Sequence, residues 1–274
     1  MREMAHLLGM QCMHAGAVAS ARLADLAVDP RWRHRFRLVD AHPRFGAPSP
    51  PRFPGQVAAA KLREAARVAL ASPSIDKVTF AMSKKDAADH AHWRVETGHD
   101  ARTPTTRFAA NAKWSVPEAA TETAAAAWVE LQHAILEALG ATHGVIVTAT
   151  NAWVMHAELF FETATVDGKE MHPHPEEIAA YRANRDQLGE RYVRTPRWGT
   201  YLNPAHVAVV GGRARILAAV APPVVRDVGN LWYVQLSERV ADATAPETRA
   251  RWRAFADLLA PITVPVPGPS TGGA

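Results

Sequence analysis

The chain has 274 residues, 48% of them hydrophobic, 21% charged, with a formal charge of +4. That length supports a core of ordinary size in one domain with appendages. The charged fraction, and the lack of an uninterrupted apolar run of about 18 residues, excludes a bundle of membrane-spanning helices. The single cysteine, Cys12, excludes an intrachain disulfide and a cysteine-based zinc site, and makes the cytoplasm the expected compartment.

In chain order, the first apolar stretch is Leu7 to Ala21, behind Arg2. A short signal-peptide core is one reading of it, but Gln11, Cys12 and His14 interrupt the run. Arg31-Trp32-Arg33-His34-Arg35-Phe36-Arg37 follows, and a second basic run lies at Thr248 to Arg253. Basic residues with aromatics between them suit phosphates, and a solvated basic face is the alternative. No nucleic-acid module motif accompanies either run. "GAPSPPRFPG", Gly46 to Gly55, has four prolines that forbid helix and ladder, and reads as an extended connector. Residues 1–55 are therefore expected to be an appendage and linker, 56–264 the main domain, and 265–274 ("PVPGPSTGGA") a frayed tail.

Within the main domain, Val57, Leu62, Ala65, Ala66 and Ala69 predict a helix that Ser72-Pro73 stops. Lys77 to Ser83 alternates, with Val78, Phe80 and Met82 on one side and Lys77, Thr79 and Ala81 on the other, which is the period of a strand. "RFAANAKWSV" predicts another strand. Ser115 and Glu118 form a capping box that opens a long helix. Trp128, Leu131, Ile135 and Leu139 are its buried stripe and Gly140 its end. "VIVTAT", Val145 to Thr150, predicts a buried strand, Trp153 to Phe161 is ambiguous, and Pro175 to about Leu188 predicts a helix.

Asn203-Pro204 is a helix start, because Asn caps free amides and Pro lacks the donor that the first position leaves over. Gly211-Gly212 ends that helix, "ARILAAV" makes a second, and Pro222-Pro223 closes it. Val228-Gly229-Asn230 turns a hairpin with Trp232, Val234 and Leu236 facing one way. Thr244 to Glu247 predicts another capping box, before a last helix with Trp252, Phe255 and Leu259 on its buried stripe and Pro261 at its stop. The expected class is α+β, with a mixed, largely antiparallel sheet and helices packed on one face.

"RTPRWGTYLNPAHVAVVGGRARILAAV", then "GNLWYVQLSE" and "RAFADLLAPI", resembles the type VI secretion immunity family, the TsiV-like proteins. The resemblance is clearest from Tyr181 to Ile262 and extends back to Val57; residues before Gly55 lie outside it. It implies a cytoplasmic, non-enzymatic antitoxin without a cofactor. Such a protein binds a secreted effector, a nuclease among the expected kinds, and occludes its active or substrate-binding surface. Trp198, Gly199, Tyr201, Leu202, Pro204, Gly211 and Gly212 carry over as scaffold and none as catalytic. No membrane or direct nucleic-acid partner is implied.

Inhibitors of nucleic-acid enzymes often present acidic surfaces. Asn151 to Glu177 holds Glu158, Glu162, Asp167, Glu170, Glu176 and Glu177 against Lys169 alone. This stretch is a candidate toxin-facing patch, with a solvated loop and helix start as the alternative. His90-Ala-His92 and His172-Pro-His174, expected in loops near Asp86, Asp89 and Glu170, offer a competing reading as a metal-dependent hydrolase. Gly211-Gly212 before Arg213 and Arg215 is either an anion cradle or a turn between helices. Cys12 is a nucleophile only beside an activating base. There is no Gly-x-Ser-x-Gly elbow, Walker loop or Gly-x-Gly-x-x-Gly.

Overall fold

Strand-period alternation and a few well-signalled helix ends account for most of the architecture in the computed structural model. It describes residues 6–15, 38–43, 75–81, 90–96, 105–114, 118–149, 164–166, 169–171 and 187–264, with isolated positions in 22–26, 61–68 and 180–184. The described positions of 61–68 are helical, as the alanine-rich spacing implies. The signals at Ser115, Trp153 to Phe161 and 265–274 lie outside the described residues, as does most of Pro175 to Leu188.

Strands β1 (His6–Ala15), β2 (Leu38–Pro43), β3 (Ile75–Ala81), β4 (His90–Glu96), β5 (Thr105–Trp114) and β6 (His143–Ala149) belong to one sheet. The short pair β7 (Ala164–Val166) and β8 (Lys169–Met171) forms a separate ladder. Strands β9 (Gly199–Leu202), β10 (Val224–Val228) and β11 (Leu231–Gln235) complete the main sheet. Its order is β10-β11-β9-β6-β1-β5-β4-β3-β2, and every ladder in it is antiparallel. The α+β class is as the sequence implied.

Strand β1 corrects the domain boundary drawn at residue 55. It lies between β5 and β6, with Cys12 opposite Phe108 on one side and Gly144 on the other. Residues 6–15 are thus interior to the sheet, where a long-range ladder rather than local periodicity decides their structure.

Helix α1 (Glu118–Leu139) buries Trp128, Leu131, Ile135 and Leu139, the stripe expected from their spacing. Gly140 ends it at φ +59°, with the Ala141 amide donating to Leu136 O at 3.0 Å. Helices α2 (Pro204–Val209) and α3 (Arg213–Val220) flank Gly211 and Gly212, both at positive φ. Such backbone is cheap for glycine and strained for other residues.

Helix α4 (Pro246–Leu259) starts with Pro246 in its first turn, but its N-cap is Ala245, which makes no side-chain cap. The capping box expected from Thr244 and Glu247 is absent because Thr244 belongs to the preceding 3₁₀ turn, Val240–Thr244. Glu122 of α1 holds that turn, its carboxylate accepting from the Val240 and Ala241 amides at 3.1 and 3.0 Å. Trp252 departs from the buried stripe: it is 38% exposed, whereas Phe255 and Leu259 are fully buried.

The helices occupy both faces of the sheet rather than one. Leu202, Trp232 and Val234 pack with Val207 and Val210, with Ile216 and Val220 of α3, and with Phe255 and Leu259 of α4. Tyr201 and Tyr233, one residue along each strand and so on the opposite face, meet His133 of α1.

Candidate functional site

The stretch Arg197 to Gly212 turns from β9 into α2 and is built from interlocked polar contacts. Trp198 Nε1 donates to Ser237 Oγ at 2.7 Å, and Ser237 Oγ donates to Arg239 O at 2.8 Å. Tyr233 Oη donates to Gln235 Oε1 at 2.7 Å, and Gln235 Nε2 donates to Ser237 O at 2.7 Å. Burial pushes the Tyr233 hydroxyl well above the usual tyrosine range, with Glu130 adding to the effect. The hydroxyl is therefore a hydrogen-bond donor at physiological pH.

Three histidines lock this region. Tyr201 Oη and His133 Nδ1 lie 3.0 Å apart in a hydrogen bond, and the Tyr201 and Tyr233 rings stack with centroids 4.6 Å apart. His143 donates through Nδ1 to Tyr201 O at 2.7 Å and accepts at Nε2 from the Arg194 amide at 3.0 Å. His206 donates through Nε2 to Glu190 O at 3.0 Å, and its Nδ1 accepts from the Asn203 amide at 3.4 Å.

For His143 and His206 these pairings fix neutral imidazoles, since one nitrogen of each ring accepts from a backbone amide and the other donates to a carbonyl. Burial lowers all three. His133 falls to about 4, with Glu130 opposing the shift and Arg226 adding to it. His206 also falls to about 4, against the pull of the Glu190 carbonyl. His143 falls to about 3, with the nearby His206 as the next cause.

Both nitrogens of His143 and of His206 are engaged, so neither ring offers a metal-ligating lone pair or a proton-transfer position. Asn203 completes the corner. Its Oδ1 accepts from the His206 amide at 2.9 Å, while its Nδ2 donates to Thr142 O and Gly189 O, both at 3.1 Å. The arrangement is a reciprocal capping box with His206 in the role usually taken by Glu. Chemically, the corner is a rigid support.

The outer surface around it is a different matter. An open groove of about 440 Å³ is lined by Tyr192, Pro196, Ala256, Pro261 and Val264, among others. Beside it Trp252 Nε1 donates to Pro196 O at 2.7 Å. Val209, Leu217 and Val225 are exposed apolar residues on α2, α3 and β10. Arg213 pairs with Asp227 and also lies over the Trp232 ring, with its guanidinium carbon 5.3 Å from the centroid. Arg215 sits over Gly211. The Gly-Gly pair thus serves as a turn between helices, its flanking arginines directed to Asp227 and to the turn itself.

The other sequence candidates are dispersed. His90 and His92 lie on strand β4 and not in a loop. Glu170 is on β8, opposite Thr165. Glu158, Glu162, Asp167, Glu176, Glu177, Asp86, Asp89, His172, His174 and Arg31 to Arg37 lie outside the described residues. Among the described residues, no group of three or more His, Cys, Asp or Glu side chains is arranged to hold a metal. Among those residues, too, no helix is long and apolar enough to cross a membrane. The buried histidines of this corner, His143 with His206 on one face of the sheet and His133 on the other, are not marked as a group by the sequence. Only His206, three residues after Asn203, carried a local signal.

The sequence matches no family model and no curated protein. Among solved structures it is similar to one described as Pseudomonas aeruginosa T6SS protein PA0821, with a TM-score of 0.58 at 13% identity. The match covers 98% of this chain and 78% of that one. The likeness is one of fold.

Proposed function

We propose that this chain is an immunity protein of a type VI secretion system (T6SS), which binds a cognate effector in the cytoplasm and neutralises it by occlusion. The observation that carries the reading is the match of nearly the whole chain to the fold of a protein described as belonging to a T6SS. The residues of the TsiV-like resemblance support it: Trp198, Gly199, Tyr201 and Leu202 are all buried, as a scaffold role requires. Exposed apolar residues beside arginines, such as Leu217 near Arg213 and Arg215, suit the few anchors that dominate protein interfaces. In this reading the protein performs no chemistry, and a nuclease is the effector class to test first.

The test is a titration of the purified chain into the effector encoded beside it, with the effector's activity assayed throughout. Stoichiometric loss of activity with a stable complex is the expected result. An effector that stays fully active in excess of the chain overturns the proposal.

A further inference from the structure

The main sheet ends at β10, and the direction of this strand's backbone groups follows from the strand beside it. The Leu236 amide donates to Trp198 O at 2.9 Å, in register with the ladder between β11 and β9. Successive amides of a strand point to opposite sides, so those of Trp232, Val234 and Leu236 turn to β9 and those of Leu231, Tyr233 and Gln235 to β10. Their partners in β10 are Val228, Arg226 and Val224. Val225 and Asp227 therefore direct both N–H and C=O outwards, and among the described residues these backbone groups have no partner. Pro223, two residues earlier, adds a carbonyl to the same edge but no N–H.

This edge is open: Val225 is 41% exposed, and Arg226 and Asp227 are exposed beside it. An unpaired edge is a template for another strand, and charged side chains commonly guard it. Here each charge is already neutralised within the chain, on opposite faces of the sheet. Arg226 pairs with Glu130 of α1, and Asp227 with Arg213 of α3. Residues 221–223 join α3 directly to β10, so the two elements run in opposite directions. Leu217 lies one helical turn beyond Arg213 and Val225 two strand residues before Asp227, steps of about 6 and 7 Å. Leu217, 42% exposed, thus stands alongside Val225. The edge offers free backbone donors and acceptors next to an apolar pair.

We infer that β10 pairs antiparallel with β10 of a second copy of this chain, about a two-fold axis through Val225. A two-fold axis sets one residue of the strand opposite itself. At Arg226 or Asp227 it would oppose like charges. At Val224 it would set Pro223, which lacks an N–H, opposite Val225 and leave only two hydrogen bonds, Val225 N–H to Pro223 O in each direction. At Val225 there are four: Val225 N–H to Val225 O in both directions, and each Asp227 N–H to Pro223 O of the other copy. The two valines then meet on the face of α2 to α4, each flanked by Leu217, while Arg226 faces Val224. A strand of unrelated sequence lacks this reciprocity, which favours a second copy as the occupant. An edge pairing of this length lies at the small end of specific interfaces, roughly 1,000 Å² in total, so micromolar association is expected.

The inference is independent of the immunity reading, and its test uses the full chain without effector. Light scattering after size exclusion, over about 1 to 200 µM, is expected to show the mass rising from one chain to two. Amide hydrogen exchange of Val225 and Asp227 slows over the same range. Val225→Pro deletes the outward N–H and no hydrogen bond of the hairpin, and is expected to weaken association at least about tenfold. Val225→Lys keeps the N–H but sets two ammonium groups on the axis; it acts in the same direction and stands in if the proline variant fails to fold. Val68→Lys, at an exposed valine outside the main sheet, is expected to stay within about twofold of wild type. A chain that remains monomeric at the highest concentration, or a dimer that the Val225 variants leave intact, overturns the inference. So does protection of these two amides that arises only when the effector is added, which would assign the edge to an effector strand.

Discussion

Gly199 and Tyr233 occupy one space: a Cβ at residue 199 would lie 2.7 Å from Tyr233 Oη and 2.8 Å from its Cε2. The ring cannot swing away, because its hydroxyl is tied to Gln235 and it is fully buried against Tyr201 and His133. Gly199→Ala is expected to destabilise the fold by about 1–3 kcal/mol through overpacking. Urea unfolding measures this, and coupling between Gly199→Ala and Tyr233→Leu in a double-mutant cycle assigns the loss to this contact. Additive effects would place the strain elsewhere.

Asn203 caps α2 with its oxygen and ties two carbonyls with its nitrogen. Asn203→Ala should cost about 2–3 kcal/mol, a lost cap of about 1 kcal/mol plus the carbonyls of Thr142 and Gly189 left without this donor. Asn203→Asp retains the cap acceptor but sets a carboxylate against those carbonyls. It should not rescue the loss, and a variant as stable as wild type in chemical denaturation contradicts the assignment.

The buried histidines predict acid sensitivity. His133 and His206 are held at about 4 and His143 at about 3, against 6.5 for an ordinary histidine. The unfolded chain then binds more protons between these limits, so this contribution is complete above about pH 6.5 and is lost as pH falls towards 4. The slope is at most about 1.4 kcal/mol per pH unit for each histidine. Thermal melts from pH 7.5 to 4.5 should show a falling Tm, and a flat profile rules the mechanism out.

Gln132 of α1 is fully buried, and among the described residues neither end of its amide has a hydrogen-bond partner. Trp128, one turn earlier, has its indole N–H in the same condition. Removing such an amide while keeping side-chain shape relieves a desolvation cost. Gln132→Met is expected to stabilise the protein by about 1 kcal/mol and to raise Tm by roughly 2–4 °C. A lowered Tm would show that the amide has a role that packing alone does not reveal.

What could be read from the sequence was what depends on near neighbours. The α1 stripe ending at Gly140, the Asn203-Pro204 start and the turn at Gly229 follow from local periodicity and backbone chemistry, and each lies where expected. "HLLGMQCMHA" lacks a clean alternation, and its status as an inner strand comes from partners near residues 105–114 and 143–149. The Thr244 box failed because Glu122, far away in the chain, holds the preceding turn. The histidine corner was hidden for the same reason, as its contacts join residues from Glu130 to His206 through the tertiary fold. The two sides of β3 were visible in Lys77 and Val78, but only the ladders extend them into faces.

The place of β1 also sets an order of events for folding. On one side of it stand β6, β9, β11 and β10; on the other stand β5, β4, β3 and β2, and the halves are joined in the sheet through this strand alone. During synthesis His6 to Ala15 emerge before their partners, and His6 must wait for Trp114 and Leu7 for Ala149 before either edge is satisfied. Loop closures of that length are slow, and an early strand with two open edges is exposed to mispairing meanwhile. The seam of the finished sheet is thus the segment whose partners arrive late, and the two halves remain separate until it is filled.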